Sequence, residues 1–184
     1  FLRAPAGVER LFRTATISLA RQYPFARPLV NTGRMAVANT YTRSSLCADA
    51  LGVSVQNVAI QWADGSGGCV NDLLNWAQGQ LLLLTFGPLD PAALKRLRAL
   101  ARHAPVRCVQ VMPGRETWPQ ALEHVVDTRG DLKKACQPQA DGASPAWALV
   151  RPDSYLAAAG QAVDARLVRA VERALALGQG GTTR

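Results

Sequence analysis

Cysteine and histidine are the residues of this chain that could support redox or metal chemistry. The chain has four cysteines: Cys47, Cys69, Cys108 and Cys136. No two of them are close enough in sequence to form a C-x-x-C motif. His103 and His124 do not fall at the spacing from a cysteine that a zinc site uses. The sequence therefore predicts neither a dithiol redox centre nor a metal site.

Three carboxylates, Asp127, Asp131 and Asp153, suggest acid–base chemistry at first sight. Asp131 lies at the start of a predicted short helix and Asp153 in a predicted turn, where helix capping and turn chemistry explain an aspartate. His124 stands beside two valines, a position typical of a histidine at the end of a strand rather than a catalytic base. We therefore expect no catalytic residue in this chain.

The glycine-rich stretch Gly65-Ser66-Gly67-Gly68 is the feature closest to a nucleotide-binding loop. A dinucleotide site needs G-x-G-x-x-G between a strand and a long helix, so that the pyrophosphate meets the helix N-terminus. The stretch lacks that spacing and reads as a turn cluster.

The chain is organised around Leu81–Leu84, four leucines with no polar alternation. The run predicts a strand buried on both faces, as in a parallel or mixed sheet covered by helices. It is too short to cross a bilayer, which needs about 20 apolar residues. A helix should follow, with Asp90 as its N-cap and Pro91 in its first turn. In a thioredoxin-type fold the redox cysteines would stand in this turn, which here reads Gly87-Pro88-Leu89-Asp90.

Further elements are expected on both sides of this strand and helix. They are an extended segment at 55–62, a short strand and helical turn at 69–76, strands at 106–112 and 125–127, a helix at 131–136, a hairpin at 147–159 that turns at 151–154, and a helix at 163–177. This order predicts an α/β, thioredoxin-like domain with a central mixed sheet flanked by helices and no redox C-x-x-C. Cys108 is expected to be a small core residue, and the four tryptophans to be core or interface residues.

The N-terminal segment is predicted to be an amphipathic helix over residues 5–23. Its apolar stripe comprises Val8, Leu11, Phe12, Ala15 and Leu19. A polar linker follows, so we predict an N-terminal helix and linker at 1–50, the thioredoxin-like domain at 51–178 and a frayed tail at 179–184. The chain begins with Phe1 and not Met, which we interpret as a sign of a fragment or a processed chain.

The formal charge is +8, and its largest share lies in residues 1–50, where seven arginines against two acidic residues leave +5. A basic interaction module for nucleic acid is therefore one alternative. Only three lysines and no basic run are present, so we expect neither a nucleic-acid nor a membrane partner. With no visible signal peptide, a reducing cytoplasm is expected.

Several segments resemble flavin-dependent aromatic-ring monooxygenases of the phenol hydroxylase and 3-(3-hydroxyphenyl)propionate hydroxylase group. The most specific is Trp147–Tyr155, similar to an "LVRPDxY" hairpin near the end of those enzymes. Asn71–Leu74 resembles "LDDLLG", Leu81–Gly87 resembles "FALLxxG", and Val126–Leu132 resembles "VxDxxGxL". Residues 1–30 resemble the last helix of the flavin domain.

The resemblance implies a non-catalytic C-terminal domain of an enzyme that uses FAD and NAD(P)H, both bound upstream of this chain. It also implies that the domain packs on the flavin domain or contributes to a homodimer. The candidate contact residues are Val8, Leu11, Phe12, Leu19 and Arg151. The alternative is a free-standing thioredoxin-like or peroxiredoxin-like protein, which would need a thiol where Leu89 and Asp90 stand.

We predict that this 184-residue chain takes up neither FAD nor a nicotinamide nucleotide, because no glycine loop leads into a helix that could hold a pyrophosphate. Equilibrium dialysis against micromolar FAD should show equal flavin on both sides of the membrane. Stoichiometric uptake would refute the prediction.

Overall fold

The computed structural model describes residues 7–23, 40–41, 44–47, 52–114, 122–137 and 144–176. The chain divides into two compact units, Phe1–Ala38 and Asn39–Arg184. In the first unit, helix α1 spans Val8–Gln22 and ends where Tyr23 turns extended. This agrees with the predicted helix, whose first residues lie outside the described ranges. The same holds for most of the predicted linker and for the tail, so the predicted domain boundary at residue 50 stays a prediction.

The second unit contains a mixed sheet with helices on both faces. Its elements are β1 (Ala59–Trp62), β2 (Gly67–Cys69), α2 (Val70–Trp76), β3 (Leu81–Phe86), α3 (Pro91–His103), β4 (Val106–Met112), β5 (Glu123–Val126), α4 (Asp131–Ala135), β6 (Trp147–Val150), β7 (Leu156–Gly160) and α5 (Ala165–Ala174). The seven strands lie in the order β2-β1-β5-β4-β3-β6-β7. Strands β3, β4 and β5 are parallel, and the remaining neighbours pair antiparallel. The predicted α/β class with a central mixed sheet is confirmed.

Strand β3 is buried on both faces, as its leucine run predicts. Leu82 and Leu84 enter a core under α2 and α4, and Leu81 and Leu83 enter a second core under α3 and α5. All four side chains are at most 3% exposed. Full burial of a leucine contributes roughly 1.5–3 kcal/mol, so this strand is the main apolar anchor shared by the two cores.

The structure departs from the sequence prediction at the β1–β2 edge. Regular pairing begins at Ala59 rather than at residue 55. Gly67–Cys69 forms an edge strand, although its glycines predict a turn. Gly68 is required there because a Cβ at this position would stand 2.5 Å from Nε1 of Trp62. Strand β5 begins two residues earlier than predicted, because Glu123 pairs with Val109 of β4.

Helix α4 is capped by a different aspartate from the one expected. Asp131 is its first residue, and its side chain pairs with Arg129 and Lys134 instead of accepting backbone hydrogen bonds. The cap is Asp127, a buried residue whose carboxylate accepts from the backbone N–H groups of residues 131, 132 and 133 at 2.9–3.2 Å. Capping of α4 therefore explains why a carboxylate is present at Asp127.

The hairpin between β6 and β7 forms where the sequence predicts it. The N–H of Ser154 donates to the carbonyl of Arg151 at 2.9 Å, which closes the turn at Arg151–Ser154. Ser154 has a φ of 68°, and the pairing of β6 with β7 shifts register between Leu149 and Val150, just before the turn. Trp147 on β6 is buried and donates from Nε1 to the carbonyl of Ala162 at 2.7 Å.

The two aspartates around α4 provide a test of the cap. Asp127→Ala should lower the free energy of unfolding by about 1–3 kcal/mol, because three backbone donors lose their acceptor. Asp131→Ala, the matched control, should cost less than about 1 kcal/mol, since its ion pairs are solvent-exposed. Urea denaturation measures both. Equal losses would contradict the assignment of Asp127 as the cap.

Candidate functional site

The turn between β3 and α3 is where a thioredoxin-type fold would carry its redox cysteines. Gly87 follows the strand with a φ of 105°, which favours glycine, and its carbonyl accepts from Nε2 of Gln110 at 3.1 Å. Asp90 caps α3 by accepting from the N–H of Ala93 at 2.6 Å, and Pro91 opens the helix. The polar groups of this turn thus hold the strand and the helix together, and none of its side chains carries a thiol.

The thiols lie elsewhere and all four are free. Burial raises the pKa of Cys108 to about 12, and its Sγ lies 3.9 Å from the carbonyl of Leu97. Burial, with a smaller contribution from the negative charge of Asp127, raises the pKa of Cys136 to about 12. Both therefore stay neutral at physiological pH, which makes them poor nucleophiles. Cys108 is the small core residue that the sequence predicts.

Cys69 is less buried and stands just before α2. Its backbone N–H and its thiol both donate to one carboxylate oxygen of Asp72, at 2.8 and 3.1 Å. Both hydrogen bonds lower the pKa of Asp72, and the bond from the thiol has the larger effect. The pair therefore forms a local link at the start of the helix.

The remaining candidates for chemistry do not come together. Among the residues that the structure describes, no group of three or more histidine, cysteine, aspartate or glutamate side chains could hold a metal ion. His124 lies on β5 opposite Gln110 of β4, and His103 is the last residue of α3. Of the described helices, none has the length and apolar character needed to span a bilayer.

Three of the four predicted contact residues on α1 have described side chains. Val8, Leu11 and Leu19 are 81%, 71% and 40% exposed, and the side chain of Phe12 lies outside the described part. Ile17 and Tyr23 are further exposed apolar side chains of this segment that the stripe does not include.

Arg151, the fifth predicted contact residue, makes a bond within its own hairpin. Its guanidinium group pairs with the carboxylate of Asp153 at 2.7 Å, and its side chain is 21% exposed. It is thus neither a fully solvated turn residue nor an arginine without a partner, and a role as an anchor for another domain stays a prediction.

A groove of about 500 Å³ lies where the parallel strands β4 and β5 begin, and the sequence does not predict it. Its lining residues are Trp76, Gln80, Leu97, Arg98, Ala101, Arg102, Val106, Arg107, Cys108, Leu122 and Glu123. The guanidinium carbon of Arg107 lies 5.0 Å from the ring centre of Trp76, within the range of a cation–π contact. The sequence signal was weak: Arg98 and Arg102 are one turn apart on α3, but the approach of Arg107 depends on the fold.

The solved structures to which this chain is similar include RebC-10x and proteins named as thioredoxin or peroxidoxin. RebC-10x soaked with chromopyrrolic acid aligns with a TM-score of 0.50 and 21% identity, over 92% of this chain and 28% of that one. The thioredoxin domain of a thiol-disulfide oxidoreductase from Bacteroides vulgatus aligns with a TM-score of 0.47 and 17% identity, over 67% of this chain and 99% of that one. The peroxidoxin BcpB from Mycobacterium tuberculosis aligns with a TM-score of 0.49 and 14% identity, over 69% of this chain and 97% of that one. The element order on which the thioredoxin-like prediction rests (strand, helix, strand, short strand and helix, hairpin, helix) is present from β3 to α5.

Sequence comparison gives the family. No curated protein matches the chain significantly. The family model described as the HcaD C-terminal domain matches residues 59–174, from the first residue of β1 to the last of α5. Because this match covers more than half of the sequence, the chain belongs to the HcaD C-terminal domain family.

Proposed function

We propose that this chain is the non-catalytic C-terminal structural and oligomerisation domain of an FAD- and NAD(P)H-dependent aromatic hydroxylase, similar to 3-(3-hydroxyphenyl)propionate hydroxylase. Membership of a family defined as a C-terminal domain supports a place at the end of a longer chain. The RPD hairpin and the segments before it support the hydroxylase class. Consistent with a part of a larger protein, the chain spans 28% of RebC-10x.

The observation that carries the proposal is the thiol-free turn after β3. In an active thioredoxin-like enzyme a low-pKa thiol would act at the start of α3, where the helix N-terminus favours its thiolate. Here Asp90 occupies that start and accepts the N–H of Ala93. A carboxylate committed to capping cannot exchange disulfides or reduce peroxide, so the thioredoxin-like or peroxiredoxin-like enzyme is the weaker alternative.

The α1 stripe gives the proposed domain its means of attachment. In the parent enzyme we expect the stripe to pack on the flavin domain, and in this chain alone to pair with a second copy. Exposed Val8 and Leu11 would each gain about 1.5–3 kcal/mol on full burial, less the entropy lost on association. A two-fold dimer is the commonest arrangement that covers one patch. With its cysteines unpaired, the domain suits the reducing cytoplasm.

The chain should be redox-silent. Insulin-disulfide reduction and peroxide consumption should equal the buffer blank, because Cys108 and Cys136 are held as neutral thiols and no resolving pair is present among the described residues. Activity that a single change such as Cys69→Ser abolishes would support the enzyme alternative instead.

The stripe should control association of the 184-residue chain. Phe12→Asp or Leu11→Asp should reduce the mass in light scattering from a dimer to a monomer, while thermal unfolding stays cooperative. Thr14→Asp is the matched control, since it adds the same charge on the same helix outside the stripe. A wild-type chain that is monomeric at high concentration would contradict the dimer.

A further inference from the structure

The groove between α3 and the beginnings of β4 and β5 carries a concentration of positive charge that the structural role of the domain does not use. We propose that it binds a small oxyanionic molecule, bearing phosphate or carboxylate groups, through Arg98, Arg102 and Arg107. This proposal is independent of whether the parent enzyme is a flavin hydroxylase.

The groove is positively charged. Three arginines and one glutamate line the groove, and three minus one leaves a net charge of +2. Within the described part of the chain, none of these arginines forms an ion pair. Guanidinium groups bind carboxylates and phosphates through paired, charge-assisted hydrogen bonds, so an unneutralised set of three favours an oxyanion.

Arg107 is held by its neighbours before a ligand arrives. It lies opposite Leu82 of β3, whereas β5 pairs with β4 only from Val109 onward, and its guanidinium carbon lies 5.0 Å from the ring centre of Trp76. An ordered cation loses less conformational entropy on binding than a free surface arginine does.

The size and composition of the groove match those of a small-molecule site. A volume of about 500 Å³ lies within the roughly 300–1,000 Å³ typical of small-molecule sites. Its floor is apolar, formed by the buried residues Leu97, Val106 and Cys108. An apolar floor beneath a cationic rim suits a compact organic anion, whereas a nucleic-acid strand would need cations spread along a longer track.

The test is a titration of the 184-residue chain at low salt with inorganic pyrophosphate and, separately, with citrate. We expect saturable calorimetric binding of at least one probe, together with a shift of the Trp76 indole N–H signal in nitrogen–proton correlation spectra. A Trp76→Phe variant identifies that signal by its loss. Tighter binding of pyrophosphate indicates a phosphate ligand, and tighter binding of citrate indicates a carboxylate ligand.

Variants make the test specific. Arg102→Gln and Arg107→Gln should each weaken binding about tenfold or more, because each removes charge-assisted hydrogen bonds. Arg169→Gln removes an exposed arginine of α5 that does not line the groove, and should leave binding unchanged. Circular dichroism confirms that each variant is folded. Absence of saturation with both probes, equal weakening by Arg169→Gln, or much tighter binding of a single-stranded oligonucleotide would overturn the proposal.

Discussion

Burial of β3 between two apolar layers is the constraint on which the rest of the domain depends. Leu81 to Leu84 alternate between the two cores, so one strand contributes buried side chains to both. Residues of α2 and α4 belong to one core, and residues of α3 and α5 belong to the other. The order of the strands around β3 then determines which ends of the sheet are open to other molecules.

The same packing determines what the potentially reactive side chains contact. Residues that could react are used to complete the fold: Cys108 and Cys136 fill the cores, Asp90 and Asp127 cap helices, and Cys69 bonds to Asp72. A thioredoxin-like sheet does not by itself confer thioredoxin chemistry, because function depends on the side chains at the site. Among the described residues, the exposed apolar side chains of α1 and the arginine-lined groove are the two features that we propose for binding.

Sequence reasoning worked best where local signals and packing agree. The leucine run, the Asp90-Pro91 start and the strand at Val106–Met112 were located to within one residue, because caps and apolar runs act over short distances. It was less accurate where an element or a cap depends on a partner segment rather than on its own residues. Strand β2 is recognised only by its pairing with β1, and Asp127 is recognised as a cap only by its hydrogen bonds to the first turn of α4. The groove requires Arg107 to approach Trp76 across the fold, which no periodicity reveals.

The coding sequence immediately upstream of Phe1 tests the central claim most directly. If the chain is the C-terminal domain of a flavin hydroxylase, the reading frame should continue upstream into a strand, a G-x-G-x-x-G loop and a helix, the unit that holds the pyrophosphate of FAD. A frame that begins close to Phe1, or one that continues into a domain without that unit, would contradict the account.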